Sequence, residues 1–265
     1  MARIFITGSA DGLGQLAAKA LIQQGHQVVL HARNRERGTQ ALNNLPGAAD
    51  VLIADLSSME ETKALAAKAN ALGIFDAVIH NAGVYQVPKN SMGAEGLPLL
   101  FAVNSLAPYI LTCLMYKPKR LIYLSSGMHL QGDPNLDNLP ASTHQRISHI
   151  SYSDTKLHDV ILSMAVASRW KEVYANAVDP GWVPTRMGGA GAPDNLEKGF
   201  ETQVWLAVGN DPGAKVSGQY FHHKKQAHYL PAANNTTVQE KFLALCEQIT
   251  GVQFGDGQVF AKDNL

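Results

Sequence analysis

Short apolar runs rich in β-branched residues alternate with amphipathic stretches from Arg3 to Val178. The expected strands are 3–7, 27–32, 50–56, 75–80, 119–125 and 173–178, and the expected helices between them are 12–24, 35–45, 59–72, 95–115 and 152–170. Repeated strand–helix units fold with right-handed crossovers, so their strands lie parallel and their helices cover both faces of the sheet. The alternation therefore predicts an α/β fold built on a doubly wound parallel sheet.

The length of 265 residues suits one large α/β domain, and neither an internal repeat nor a linker divides the chain. We therefore expect a single domain over 1–265. The segment at about 184–200 is rich in Gly and Pro and is expected to form a lid. Residues 219–221 are expected to be a last edge strand, and 238–249 a C-terminal helix.

The composition argues against several classes of protein. Apolar residues make up 46% of the chain, and 22 basic residues balance 22 acidic ones, which removes the electrostatic case for a nucleic-acid or membrane partner. No apolar run approaches the roughly 18–20 residues that span a bilayer. The first residues run directly into a strand pattern, so a cytoplasmic protein is expected. The histidines lack ligand spacing, so no metal site is expected.

A glycine-rich segment, Thr7-Gly8-Ser9-Ala10-Asp11-Gly12-Leu13-Gly14, lies between the first expected strand and the first expected helix. Gly8 permits a tight turn, Gly12 lets the backbone approach a pyrophosphate, and Gly14 allows close packing of helix on strand. The N–H groups at the helix N-terminus would bind the phosphates. This context predicts a dinucleotide site in a Rossmann-type fold.

The end of the second expected strand indicates which dinucleotide is bound. An acid at this point would bind the ribose 2′-hydroxyl of NAD, but the chain has Arg33 there and no acid before Glu36. An arginine can pair with a 2′-phosphate, so NADP is favoured and NAD stays possible, with Arg35 and Arg37 as alternatives to Arg33 for this contact. Asp55 and Leu56, after the third strand, are placed to meet the adenine, although Asp55 could equally be a helix cap.

Polar and glycine motifs follow the later strands, where open α/β sheets bind their ligands. They are Asn81-Ala82-Gly83 after the fourth strand, Ser125-Ser126 after the fifth and Asp179-Pro180-Gly181 after the sixth. Tyr152 and Lys156 lie four residues apart, on one face of the following helix. A nearby ammonium, together with an oxidised nicotinamide, would lower the pKa of a phenol, so this pair is a candidate for acid–base chemistry.

Together these motifs resemble the short-chain dehydrogenase/reductase family, and Pro180-Gly181-Trp182-Val183-Pro184-Thr185 looks most like its retinol-dehydrogenase-like branch. The resemblance covers at least Arg3 to Thr185. It implies an oxidoreductase that transfers a hydride between NADP(H) and a ketone, aldehyde or alcohol. The expected cofactor-binding residues are Thr7, Gly8, Gly12, Leu13, Gly14, Arg33, Asp55, Leu56, Asn81, Ala82, Gly83, Tyr152, Lys156, Pro180, Gly181, Val183 and Thr185.

The resemblance also implies roles for the catalytic residues. Tyr152 would be the general acid–base, and Lys156 would bind the nicotinamide ribose and lower the tyrosine pKa. Ser126 would bind the substrate oxygen, with Ser125 as the alternative. Asn104 would hold a water that links Lys156 to solvent.

Two further residues take supporting roles in the resemblance. Asn81 would steady the sheet edge beside the cofactor, and Thr185 would contact the carboxamide of the nicotinamide. The loops at 128–150 and 187–200 would form the substrate pocket, and a homo-oligomer is possible.

Two other functions compete with this interpretation. An epimerase or dehydratase of the related longer group would carry another glycine spacing and a larger C-terminal domain. A non-catalytic NADP-binding sensor could use the same fold, but it would not need to keep Tyr152 and Lys156.

Overall fold

A computed structural model of the chain describes residues 1–139 and 150–257. Eight strands form one sheet in the order β3-β2-β1-β4-β5-β6-β7-β8. They are β1 (Arg3–Ile6), β2 (Gln27–Ala32), β3 (Asp50–Ile53), β4 (Ala77–His80), β5 (Arg120–Leu124), β6 (Tyr174–Asp179), β7 (Gln219–His222) and β8 (Lys225–Gln226). β1 to β7 are parallel, and only β8 pairs antiparallel.

Helices connect the strands. They are α1 (Gly12–Gln23), α2 (Arg35–Asn44), α3 (Met59–Ala71), α4 (Leu99–Phe101), α5 (Ala107–Leu114), α6 (Tyr152–Arg169), α7 (Leu196–Val208) and α8 (Thr236–Thr250). A π-helical turn (Ala102–Leu106) joins α4 to α5, and two 3₁₀ turns cover Gly127–Gln131 and Pro231–Asn234. Among the described residues, no helix is long and apolar enough to cross a membrane.

Two apolar cores lie on opposite faces of the sheet, as the alternation of strands and helices predicts. Side chains alternate along β1, so Ile4 and Ile6 join one core while Phe5 joins the other. The first core holds α1 and α7, whereas the second holds α3, α5, α6 and α8. The doubly wound α/β prediction is confirmed. The strand order reverses between β1 and β4, which is where such sheets bind ligands.

Some boundaries differ from the expectations. The helix expected over 95–115 begins at Leu99, since the N–H-lacking Pro98 occupies its N-cap position. The helix α7 was not expected at all. It begins within the segment assigned to a lid, because the Asn195 side chain caps it by accepting from the N–H of Lys198. The expected edge strand is β7, but β8 pairs beyond it through a turn at His223 and Lys224.

Candidate active site

The glycine-rich segment forms a turn that packs against the end of β4. Gly8 has φ +63°, and a side chain there would place its Cβ only 2.8 Å from the Cα of Ala82. At Gly14 a Cβ would lie 2.4 Å from Nδ2 of Asn81 and 2.6 Å from the carbonyl oxygen of Gly8. Both contacts are too short for any side chain, so these positions require glycine.

Hydrogen bonds fasten this turn to the neighbouring strand. The Thr7 hydroxyl oxygen accepts from the backbone N–H groups of Asn81 and Ala82, at 3.0 Å each. The Asn81 amide donates in return to the carbonyl oxygens of Thr7 and Gly8, at 2.9 and 3.1 Å. Asn81 thus braces the glycine turn itself.

The N-terminus of α1 fits the phosphates of a dinucleotide. Gly12 has φ +54°, and the space beside it is open apart from the Thr185 Cβ at 4.0 Å. The Asp11 carboxylate accepts from the N–H of Gly12. Within the described part of the chain, the N–H groups of Leu13 and Gly14 have no acceptor. Free donors at a helix N-terminus bind anions, so the cradle suits a pyrophosphate.

His31, which sequence reasoning missed, holds the glycine turn from the other side. Its Nδ1 accepts from the N–H of Gly8 at 2.9 Å, and its Nε2 lies 3.0 Å from the carbonyl oxygen of Ala54. These partners require the neutral ring with the proton on Nε2. Burial lowers the pKa of His31 to about 4, which favours that neutral form.

The residues after β2 and β3 have different partners. Arg33 is exposed and forms no ion pair or hydrogen bond with any residue in the described ranges. Arg37 instead pairs with Asp11 on the glycine turn, at 3.0 Å. After β3, the Asp55 carboxylate accepts from the N–H of Ser57, but the N-cap of α3 is Ser58, so Asp55 is not the helix cap that was the alternative for this residue. Leu56 is buried.

Asn104 lies in the π-helical turn, with its side chain fully buried. Its amide oxygen accepts from the N–H of Val84, and its nitrogen donates to the carbonyl oxygen of Val84 and to the Thr155 hydroxyl, all within 3.0 Å. A Cβ at Gly83 would lie 3.5 Å from that amide oxygen and 3.7 Å from the Lys156 ammonium. Gly83 therefore leaves open the space between Asn104 and Lys156.

The helix α6 begins with a capping box at Ser151 and Asp154, which fixes the first turn that carries Tyr152. The Lys156 ammonium lies 5.6 Å from the centroid of the Tyr152 ring. The Tyr85 ring also packs against the Tyr152 ring, with 4.5 Å between the two ring centroids. The expected tyrosine–lysine pair is thus brought together at the carboxyl edge of the sheet.

The Tyr152 pKa depends on burial as well as on the charge of Lys156. Burial raises this pKa above its ordinary value, and although the charge of Lys156 acts in the lowering direction, the net shift is upward. The negative charges of Asp159 and Asp179 also raise it. The Lys156 charge thus acts in the expected direction, and in the protein without a cofactor burial outweighs it.

The two serines after β5 have different surroundings. The Ser125 hydroxyl is buried and donates to the carbonyl oxygen of Lys156 at 2.8 Å. Ser126 is half-buried, and its hydroxyl oxygen accepts from the N–H of Met128. The hydroxyl proton of Ser126 has no acceptor among the described residues, whereas that of Ser125 is already used.

The segment after β6 passes over the glycine turn. Gly181 has φ +80°, and its N–H donates to Asp179. Thr185 lies beside Gly12, and its hydroxyl accepts from the N–H of Gly188 at 3.2 Å. Val183 is buried, and Pro180 directly follows the last residue of β6.

The expected lid at 184–200 needs a correction at its end. Residues Leu196 to Phe200 belong to α7, so they form a helix and not a loop. At Gly199 a Cβ would lie 2.8 Å from Val183, which explains the glycine by close helix packing and not by flexibility. Within the expected pocket loops, residues 140–149 lie outside the described part of the chain.

Comparisons with known proteins agree with this geometry. The short chain dehydrogenase family profile matches residues 2–128. An uncharacterized oxidoreductase of Emericella nidulans is 47% identical over 257 residues, which cover 95% of this chain and 98% of the relative. The chain belongs to the short-chain dehydrogenase/reductase family. Human retinol dehydrogenase 14 is more distant, at 28% identity over 292 residues, covering 94% of this chain and 86% of that one.

Solved structures share the fold. An uncharacterized protein from Mycobacterium paratuberculosis has a TM-score of 0.77 at 22% identity, covering 96% of this chain and 95% of its own. The RhlG/NADP active-site complex of Pseudomonas aeruginosa has a TM-score of 0.63 at 20% identity, covering 83% of this chain and 93% of its own. These structures show the Rossmann-type fold, and the relative at 47% identity shows that the chain is an oxidoreductase.

Proposed function

We propose that this protein is an NADP(H)-dependent reductase of ketones or aldehydes, with the corresponding alcohols as its products. The observation that carries the proposal is the approach of Lys156 to Tyr152, at the sheet edge where the glycine turn also lies. A sensor that only binds a dinucleotide does not need a phenol and an ammonium at this place.

In this proposal Tyr152 donates a proton to the substrate oxygen during reduction and takes it back during oxidation. A bound nicotinamide supplies the hydride in the reductive direction. The Ser126 hydroxyl orients the carbonyl oxygen, and its free proton supports this role over one for Ser125. Lys156 keeps positive charge beside the phenol, which favours the phenolate that forms when the proton leaves.

The cofactor would be held along the carboxyl edge of the strands. The cradle of Gly8, Gly12 and Gly14 would take the pyrophosphate, and the open space at Gly83 would admit the ribose beside Lys156. Thr185, next to Gly12, would contact the carboxamide. Asn104 bonds to Val84 after β4 and to Thr155 in the first turn of α6. It would thereby fix the two segments on either side of the ribose.

The substitution Tyr152→Phe tests the proposal. It removes one hydroxyl and keeps the ring, so the fold should persist while turnover of a panel of ketones and aldehydes with NADPH falls at least about 10²-fold. Binding of NADPH, measured by fluorescence titration, should change little. The control Tyr174→Phe removes a phenol at the first residue of β6, at the amino ends of the strands, and should keep full turnover.

Lys156→Ala should weaken NADPH binding as well as turnover, because one ammonium serves both the ribose and the phenol. If Tyr152→Phe kept most of the activity, the catalytic assignment would be wrong. A binding module without catalysis would then remain the better explanation.

The preference for NADP(H) is argued from Arg33. This guanidinium is exposed at the end of β2 with no partner among the described residues, so it is free to bind a 2′-phosphate. The NADP in the Pseudomonas aeruginosa complex supports the same choice. Arg33→Asp should cost about 1.5–3 kcal/mol of NADPH binding and shift the preference towards NADH.

The control is Arg35→Asp, which makes the same charge change at the exposed first residue of α2. Fluorescence titrations with NADPH and NADH compare the variants with the unaltered protein. Equal or tighter binding of NADH by the unaltered protein would refute the NADP(H) preference.

A further inference from the structure

The Lys156 ammonium has a buried acidic partner within its own helix. Its Nζ donates to Asp159 Oδ2 at 2.8 Å and to the carbonyl oxygen of Leu124 at 2.7 Å. The Lys156 side chain is 6% exposed and that of Asp159 4%, so solvent barely reaches this ion pair. Asp159 follows Lys156 by three residues, so both side chains lie on one side of the helix.

These contacts limit what the ammonium can do. An ammonium has three N–H donors, and two of them are committed to Leu124 and Asp159. One N–H is left for a partner beside Tyr152 and Gly83. Any other rotamer of Lys156 would leave the buried Asp159 carboxylate without a partner and lower the stability of the protein. The pair therefore holds Lys156 in one rotamer.

The charge of Asp159 also reaches the phenol. Lys156 acts to lower the Tyr152 pKa, whereas Asp159 acts to raise it. Burial disfavours the Lys156 ammonium, but the charge of Asp159, the interaction with Tyr152 and the hydrogen bond to Asp159 together outweigh it and raise the Lys156 pKa above its ordinary value. Burial raises the pKa of the Asp159 carboxyl to about 6, so both groups are charged at neutral pH.

Other titratable groups face this cluster from the surrounding elements. Tyr85 after β4 and Asp179 at the end of β6 both act to raise the Tyr152 pKa. On β5 the Tyr123 phenol also feels the charge of Asp159. None of these groups bonds to the Lys156 ammonium within the described residues, so Asp159 is its one ionic partner there.

We propose that Asp159 is a positioning residue that holds the Lys156 ammonium in place and offsets part of its charge, and thereby sets the pH at which Tyr152 exchanges its proton. The inference rests on the proposed role of Tyr152 as the proton donor. Sequence reasoning missed it, although an acid three residues after the lysine, where side chains of one helix meet, was the available indication.

The ionisation of Tyr152 can be measured without any substrate. Tyrosinate absorbs in the ultraviolet, so the difference between the pH titrations of the unaltered protein and of Tyr152→Phe isolates this phenol. The same subtraction is made in the background of each Asp159 variant, and circular dichroism confirms that each variant folds.

Asp159→Asn keeps an oxygen that can accept from Lys156 and removes only the charge. We expect the midpoint of the Tyr152 titration to fall by about one pH unit or more. Asp159→Ser, a smaller neutral variant, should shift it in the same direction. Asp159→Glu disturbs the packing but keeps the charge, so its midpoint should stay near that of the unaltered protein.

An unchanged midpoint in both neutral variants, or an equal shift in Asp159→Glu, would overturn the proposal.

Kinetics separate this proposal from the proposed function. Reduction requires the protonated phenol, so with NADPH and a ketone the activity is lost as pH rises through the Tyr152 pKa. Asp159→Asn should move this alkaline limb to lower pH by the same shift as in the absorbance titration. Full turnover by Tyr152→Phe would refute the proposed function alone, because the absorbance midpoints would still report on Asp159.

Discussion

His31 links the stability of the glycine turn to pH. Its Nδ1 accepts from the N–H of Gly8, which needs the neutral form, and its Nε2 donates to the carbonyl oxygen of Ala54 in either form. Glutamine offers an amide oxygen and an amide N–H that can replace these two groups without titrating. We therefore choose His31→Gln as the perturbation.

The magnitude follows from the pKa of His31, which burial lowers from 6.5 to about 4 in the folded protein. Between these values the unfolded chain binds the proton and the folded protein does not. Stability from this group is thus complete above about pH 6.5 and is lost as pH falls towards 4. At 1.36 kcal/mol per pKa unit, the loss from His31 alone is about 3 kcal/mol.

Urea unfolding followed by circular dichroism, at one protein concentration and a series of pH values from about 7 down to 4, measures this loss. His80 and His158 are also buried with lowered pKa values, so the unaltered protein loses further stability in acid. Over this pH range the free energy of unfolding should fall less for His31→Gln than for the unaltered protein. The difference between the two losses should be about 3 kcal/mol. The control His228→Gln, at an exposed histidine, should follow the unaltered protein. Identical pH slopes for His31→Gln and the unaltered protein would refute the reasoning.

Three further outcomes are expected. Gly14→Ala should weaken NADPH binding at least tenfold and cost about 1–3 kcal/mol of stability, because its Cβ would lie 2.4 Å from Asn81; unchanged fluorescence titrations would contradict this. Tyr109→Phe should lower the free energy of unfolding by about 1–2 kcal/mol in urea, since its buried hydroxyl donates to the carbonyl oxygen of Val252 at 2.7 Å. We propose that residues 184–195 form a mobile lid, so their amide hydrogens should exchange faster than those of α7. Addition of NADPH and a ketone should slow this exchange. Full protection of these amides in the protein alone would indicate a rigid segment instead.

Local patterns in the sequence predicted the sheet well. Apolar strands and amphipathic helices each leave a short-range periodicity, so β1 to β6 and their helices were placed with errors of a few residues. The glycine turn was predicted because its spacing and flanking elements lie within one continuous segment. The helix α7 was missed because Gly199 indicated a loop, whereas it permits close packing on Val183.

The site was predicted less completely, because its tuning depends on contacts between distant residues. Tyr152 and Lys156 are four residues apart and could be paired from the sequence alone. The bond from Gly8 to His31 joins residues 23 positions apart, and no local pattern encodes it. The net upward shift of the Tyr152 pKa arises from burial, which only the packed structure shows.

The π-helical turn at Ala102–Leu106 has a consequence for insertions and deletions in this helix. A π turn is an α-helical turn that holds one extra residue. Deleting a single residue there would let the segment close as an ordinary α-helix, and the residues on either side of the turn would keep their orientation. The change would be confined to the turn itself, which carries Asn104 and its bonds to Val84 and Thr155. A gain in regular hydrogen bonding and the loss of these bonds are thus separated by a single codon.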